Sequence, residues 1–220
     1  MGKVTLERLC QWVADTAPKV DAVGKELVQL RKDIRDLSQT LGDLLNQQSK
    51  LEAAIAGIQS QIAQLEAQAS SSDDDDEDGS SYAIQSQINA LQQRLGAYQS
   101  LLREVYDGIE RTRKDIEQKQ EKAGVCTSKL ESTDESLVLV NDGFGAHLRE
   151  GVQAKETLSR AGSIRFASAS ASEQIKVIQG RINTCMSYQS QISNIRSRIQ
   201  QYLGEERDQR EKVKSYGRTH

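Results

Sequence analysis

The plainest chemical potential in this 220-residue chain lies in six consecutive acidic residues, Asp73 to Asp78, set between serines in SSSDDDDEDGSSYAIQSQ. Carboxylate oxygens are hard donors that suit calcium or magnesium. From Asp74 the run reads D-x-D-x-D-G, so Asp74, Asp76 and Asp78 alternate ahead of Gly79. Other candidates are sparse. His147, in GFGAHLREG, has no Cys or second His at ligand spacing, and the only other histidine is His220. A catalytic or metal-binding histidine needs such partners. Cys10, Cys126 and Cys185 are far apart and form no C-x-x-C pair. An odd, scattered set argues against a disulfide framework and for a reducing compartment. There is no phosphate-binding G-x-x-x-x-G-K-[ST] and no nucleophile elbow, and Leu148 stands where a dinucleotide fingerprint starting at Gly143 needs its third glycine. These residues predict no enzyme, no cofactor and no catalytic residue.

The acidic run resembles the twelve-residue loop of the helix–loop–helix calcium-binding family over six residues. That resemblance implies Asp74, Asp76 and Asp78 as ligands, Gly79 at the turn and Ser80 offering its carbonyl. The pattern then departs. The twelfth position is Gln85, which cannot supply two carboxylate oxygens, and the eighth is Ser81 where such loops carry an apolar residue. The reading preferred here is a self-repelling connection between two long helices, with no formed metal site.

Those helices are written in the apolar pattern. Val20, Val23, Leu27, Leu30, Ile34, Leu37, Leu41, Leu44, Leu51, Ile55, Ile58, Ile62 and Leu65 step by three and four, broken only at Gln48. This is the seam of a coiled coil, and at 1.5 Å per residue it predicts a helix roughly 70 Å long. A second seam follows the acidic run: Ile84, Ile88, Leu91, Leu95, Tyr98, Leu102, Val105, Ile109, Thr112 and Ile116. Folding the chain at the run pairs Leu65 with Ile84, Ile58 with Leu91, Leu51 with Tyr98, Leu44 with Val105 and Leu37 with Thr112, every pair summing to 149. Both seams therefore stay in phase along an antiparallel hairpin. Gln48 either faces Leu102 and its neighbours inside the seam or reaches the solvated edge.

Four regions are expected. Residues 1–17 form a short helix, with Leu6, Leu9 and Val13 on one face and a break at Ala17-Pro18. Residues 18–123 form the coiled-coil hairpin, with its acidic loop at 70–81. Residues 124–172 are helical but interrupted by Gly143, Gly145, Gly151 and the small, polar SIRFASASAS. Leu137, Val140, Phe144, Leu148, Val152 and Leu158 form its stripe, and Ser132 with Glu135 has capping-box spacing. Residues 173–220 form a C-terminal coiled-coil helix carrying Ile175, Ile178, Ile182, Cys185, Tyr188, Ile192, Ile195, Ile199 and Tyr202, followed by a basic tail expected to fray. The fold class is all-α: a long, elongated antiparallel coiled-coil hairpin with additional C-terminal helices.

Composition limits the partners. Net charge is -3 with 4% aromatic residues, so no global basic drive toward nucleic acid exists. Residues 173–220 hold nine Lys/Arg against five Asp/Glu, but the acids are interleaved, as on a salt-bridged helix surface. No apolar run reaches the ~20 residues that span a bilayer. MGKVTLERLCQW lacks a signal-peptide apolar segment, so the expected location is the cytoplasm, or outside the cell by a signal-peptide-independent route.

The expected function is therefore that of a non-enzymatic coiled-coil scaffold or adaptor. It would assemble with itself or a protein partner through helical seams. The interface residues are Leu27, Leu30, Ile34, Leu37, Leu41, Leu44, Leu51, Ile55, Ile58, Ile62, Leu65, Ile84, Ile88, Leu91, Leu95, Tyr98, Leu102, Val105 and Ile109 of the hairpin, with Ile182, Ile192 and Ile199 of the last helix. Two alternatives accompany it. In shape, the hairpin resembles the small helical substrates and partner proteins of the bacterial type VII secretion pathway. Their W-x-G turn is absent, because Trp12 is followed by Val13-Ala14, and no residue is carried over. The other alternative is a calcium-responsive helical hairpin.

Overall fold

The computed structural model of the chain describes residues 4–71, 79–161 and 168–216. These residues are all-α. Helix α1 spans Leu6–Ser71, α2 spans Gly79–Ala161 and α3 spans Ser168–Tyr216. The acidic residues Asp73 to Asp78, and the calcium-ligand assignments made on them, lie outside the described residues. Good helix formers (Leu, Ala, Gln, Glu, Lys) dominate all three segments, and helices this long draw most of their stability from a packed apolar face.

Helix α1 opens on Thr5. Its hydroxyl accepts from the Arg8 amide at 3.4 Å and its carbonyl accepts from the Leu9 amide at 3.2 Å, an N-cap arrangement. The break expected at Pro18 does not occur, because Pro18 lies inside α1. A proline in a helix interior costs roughly 3 kcal/mol through a lost hydrogen bond and a ring–carbonyl clash. Here Val13, Thr16 and Val20 are buried on either side of it, while Ala14 and Pro18 both face solvent. The packed face carries the helix through Pro18, and Ala14, whose carbonyl the proline frees, lies on the wet side.

The capping box expected at Ser132 is likewise not used. Ser132 sits in mid-helix, where its carbonyl accepts from the Ser136 hydroxyl at 2.9 Å. The flanking Leu130 and Leu137 are buried at 1% and 0% exposure, and their packing overrides the local start signal. The tail also differs from expectation, since α3 continues as helix to Tyr216.

The chain divides into two compact units, residues 1–32 with 121–220 and residues 33–120. The boundaries between them fall inside α1 and α2, so Val20, Val23, Leu27 and Leu30 belong to the first unit and not to the hairpin expected over 18–123. This unit is a three-helix bundle. Leu9 faces Gly143, and His147 lies 2.9 Å from the Val4 carbonyl, so α1 runs antiparallel to α2. Ile182 faces Gly151, and Arg196 pairs with Asp134 at 2.8 Å, so α3 runs antiparallel to α2. Arg198 pairs with Asp21 at 2.7 Å, and α3 is parallel to α1.

Its core is Val13, Leu27, Leu130, Leu137, Phe144, Cys185, Ile192 and Ile199, each under 2% exposed. Burying side chains of this size contributes roughly 1.5–3 kcal/mol each. Phe144 stacks on Tyr188 with ring centroids 5.5 Å apart. On α2 the inward position is Gly151, where an added Cβ would sit 3.0 Å from Ile182; Val152, expected inward, is 42% exposed. The glycine lets α3 approach closely at a point where a larger residue would push it off.

The second unit is the antiparallel hairpin of α1 and α2. Leu51 packs with Val105 and Ile109, joined by Leu41, Leu44, Leu45, Tyr98 and Leu102. Ile58 and Ile62 pack with Ile88, joined by Leu65, Ile84, Leu91, Leu95 and Tyr98. These clusters bring together four of the five expected pairs: Leu65 with Ile84, Ile58 with Leu91, Leu51 with Tyr98 and Leu44 with Val105. Lys119 closes the unit's other end by pairing with Asp33 at 2.8 Å.

Candidate interaction surfaces

Among the described residues, the three cysteines and His147 pack or hydrogen-bond within the three-helix unit. Cys126 and Cys185 are buried and Cys10 half-buried, and burial is the main force pushing all three thiols above their ordinary value. A thiol held neutral is a poor nucleophile and a poor metal ligand. His147, at Val4, ties the start of α1 to α2. Among the described residues no group of three or more His, Cys, Asp or Glu is placed to hold a metal. Ser81, Tyr82 and Gln85 already lie in α2, and Gln85 donates its amide to Asn89 at 3.2 Å.

One polar cluster inside the three-helix unit was not legible in the sequence. Arg31 is 7% exposed. Its Nη2 donates to the Tyr202 carbonyl, and its Nη1 lies 3.6 Å from Glu205. Nε and Nη1 have no hydrogen-bond partner. Desolvation pulls the guanidinium below its ordinary value, against the pull of Glu206 and Glu205. Glu206 is itself buried at 6%, where it accepts from the Thr127 hydroxyl and pairs with Arg210 at 3.1 Å. This anchoring explains why the start of the basic tail is docked helix and not frayed chain.

Two grooves open on the same unit. One, of about 880 Å³, runs between α1 and α2 and is lined by Val20, Val23, Val125 and Leu130 together with Lys19, Glu121 and Lys129. The other, of about 680 Å³, is polar and lies between α2 and α3 around Asp134, Glu135, Arg207 and Arg210. Neither brings together a nucleophile, a base and an oxyanion donor.

The expected interface residues separate by unit. Leu27, Leu30, Ile182, Ile192 and Ile199 are buried inside the three-helix bundle. They are consumed by packing among α1, α2 and α3 within the chain and are not available to a partner. In the hairpin, Ile34, Leu51, Ile58, Ile62, Ile88, Val105 and Ile109 are buried at 4–9% exposure. Leu37, Leu41, Leu44, Ile55, Leu65, Ile84, Leu91, Leu95, Tyr98 and Leu102 are only half-buried. Two helices cannot enclose a seam as three can, so these side chains keep one flank open.

Gln48 reaches the edge of the seam. Its Nε2 donates to Glu52 Oε1 at 2.9 Å, and the Tyr106 hydroxyl donates to the same oxygen at 2.7 Å. Both donors hold the Glu52 carboxyl below the ordinary glutamate range, and the same bond pushes the Tyr106 phenol up. Outside the seam Leu101 is 45% and Tyr106 46% exposed. A groove of about 430 Å³ opens beside Leu65 and Leu91, flanked by Gln61, Gln64, Gln87, Ala90 and Arg94. No described helix is long and apolar enough to cross a membrane. No family model matches the chain, and comparison with curated proteins and with solved structures returns no match.

Proposed function

We propose that the protein is a non-enzymatic coiled-coil scaffold or adaptor that assembles, with itself or with another helical chain, through the two-helix unit. One observation carries this reading. The third helix, which completes the core in residues 1–32 and 121–220, has no counterpart among the described residues of 33–120. Ten seam side chains there remain half-buried, and an added helix laid along the hairpin would cover them, as amphipathic helices do in grooves. The scattered, deactivated thiols and the lone His147 support a role without chemistry.

Sedimentation equilibrium of the full chain over about 1–100 µM tests it, since association is driven by concentration. The expected mass exceeds that of the 24.4 kDa chain, or a helical partner is recovered by cross-linking through residues 33–120. A chain that stays monomeric and cross-links to no helical partner through that unit contradicts the reading.

A further inference from the structure

One face of α2 in the two-helix unit is complementary to itself. Ala90, Arg94, Ala97, Leu101, Glu104 and Gly108 recur at alternating steps of four and three, the spacing that keeps residues on one side of a paired helix. All are exposed except Gly108, which is half-buried. They flank the seam on the side where Gln61, Gln64, Gln87, Ala90 and Arg94 bound the 430 Å³ groove. Leu101, 45% exposed, is the large apolar residue of this stripe. Among the described residues no ion pair engages Arg94 or Glu104.

We propose that this stripe is an isologous contact with a second copy of the chain, the two α2 helices lying antiparallel about a two-fold axis near Gln99. The proposal rests on the assembly reading above and specifies its partner and face. The pairing follows from arithmetic. Arg94 with Glu104, Ala97 with Leu101, and Ala90 with Gly108 each sum to 198. The axis therefore sets a cation against an anion twice, a leucine over an alanine twice, and two small residues where the backbones come nearest. In a two-fold interface the same patch must complement itself, and this stripe does so in sign and in size.

On α1 the level opposite Gln99 is set by Leu44 against Gly108 and Asp33 against Lys119. Both marks sum to 152, so the axis passes α1 at Ala53, where it sets Lys50 against Ala56, Asp43 against Ala63 and Glu52 against Ala54, so no like charges oppose. The alternative, with the hairpins parallel and α1 facing α2 of the second copy, turns Arg94 toward the level of Ile58 and leaves both Arg94 and Leu101 without a matched partner. Within one chain Arg94 and Glu104 are ten residues apart on one helix, about 15 Å, so any coupling between them is intermolecular.

The test is sedimentation equilibrium of the full chain and of Arg94→Glu, Glu104→Arg, the double reversal and an equimolar mixture of the single variants. The wild type is expected as a dimer of the 24.4 kDa chain. Each single reversal opposes like charges twice and weakens the dimer about tenfold or more, and the double reversal and the mixture both restore it. Restoration by mixing excludes a folding defect, which would persist in the mixture. Single variants that dimerise like wild type, or a mixture as weak as its components, overturn the stripe while leaving assembly through another face intact. A wild-type chain that stays monomeric overturns self-association and leaves only assembly with a different chain.

Discussion

The ring of Tyr202 on α3 occupies the space that a side chain at Gly24 on α1 would need. Gly24 is buried, and the two helices touch there through a bare backbone and a flat aromatic face. An alanine in an exposed helix interior would add about 1 kcal/mol of stability. At Gly24 the added methyl collides with Tyr202, and overpacking of this kind costs typically 1–3 kcal/mol. Gly24→Ala is expected to lower the thermal midpoint, and Gly24→Ala with Tyr202→Leu to recover much of the loss. An unchanged or raised midpoint for the single variant contradicts the contact.

Arg31 gives a prediction of opposite sign. Its guanidinium is buried, with Nε and Nη1 making no hydrogen bond and Nη1 held only by the 3.6 Å ion pair to Glu205. Replacing a whole buried ion pair by apolar residues of similar volume is often neutral or stabilising by roughly 1–4 kcal/mol, and removing one charge is costly when it strands its partner. Glu206 keeps Thr127 and Arg210, and Glu205 is half exposed, so neither is stranded. Arg31→Met is expected to raise the chemical-denaturation midpoint. A loss of more than about 2 kcal/mol would show that the charge is better compensated than its geometry indicates.

The Glu52 carboxyl accepts from Gln48 and Tyr106 and is depressed in the folded state. Its contribution to stability is therefore present above the unfolded value, near 4.3 for glutamate, and is lost as pH falls through the lower folded value. Tyr106→Phe removes one donor. Carbon-detected NMR titration should show the Glu52 midpoint below the ordinary glutamate value in the wild type and higher in Tyr106→Phe. Equal midpoints would break the proposed bond.

Much of this fold was legible because its rules are periodic. The paired sums that join Leu51 with Tyr98 and Ile58 with Leu91 placed the hairpin seam correctly. Local signals that compete with tertiary burial misled. Pro18 and Ser132 carry break and start signals, but Val13, Val20, Leu130 and Leu137 are buried around them, and packing outweighs one lost hydrogen bond. Periodicity also does not say which partner a stripe will meet. The stripe of Ile182, Ile192 and Ile199 was visible, whereas its burial within the chain depends on Gly24 and Gly151, two residues whose value lies in what they lack. Arg31 falls between seam residues, and nothing local distinguishes it from a solvated charge.

The central claim is that the hairpin's open flank carries assembly, and amide hydrogen exchange at low and high protein concentration tests it most directly. Association buries only the contacting surface, so protection should rise with concentration where the contact forms. The expected result is increased protection confined to 33–71 and 79–120, strongest around Arg94 to Glu104, with the exchange of 6–32, 121–161 and 168–216 unchanged. Concentration-dependent protection only in the three-helix unit, or none in any segment together with no helical partner captured on 33–120, would contradict the claim.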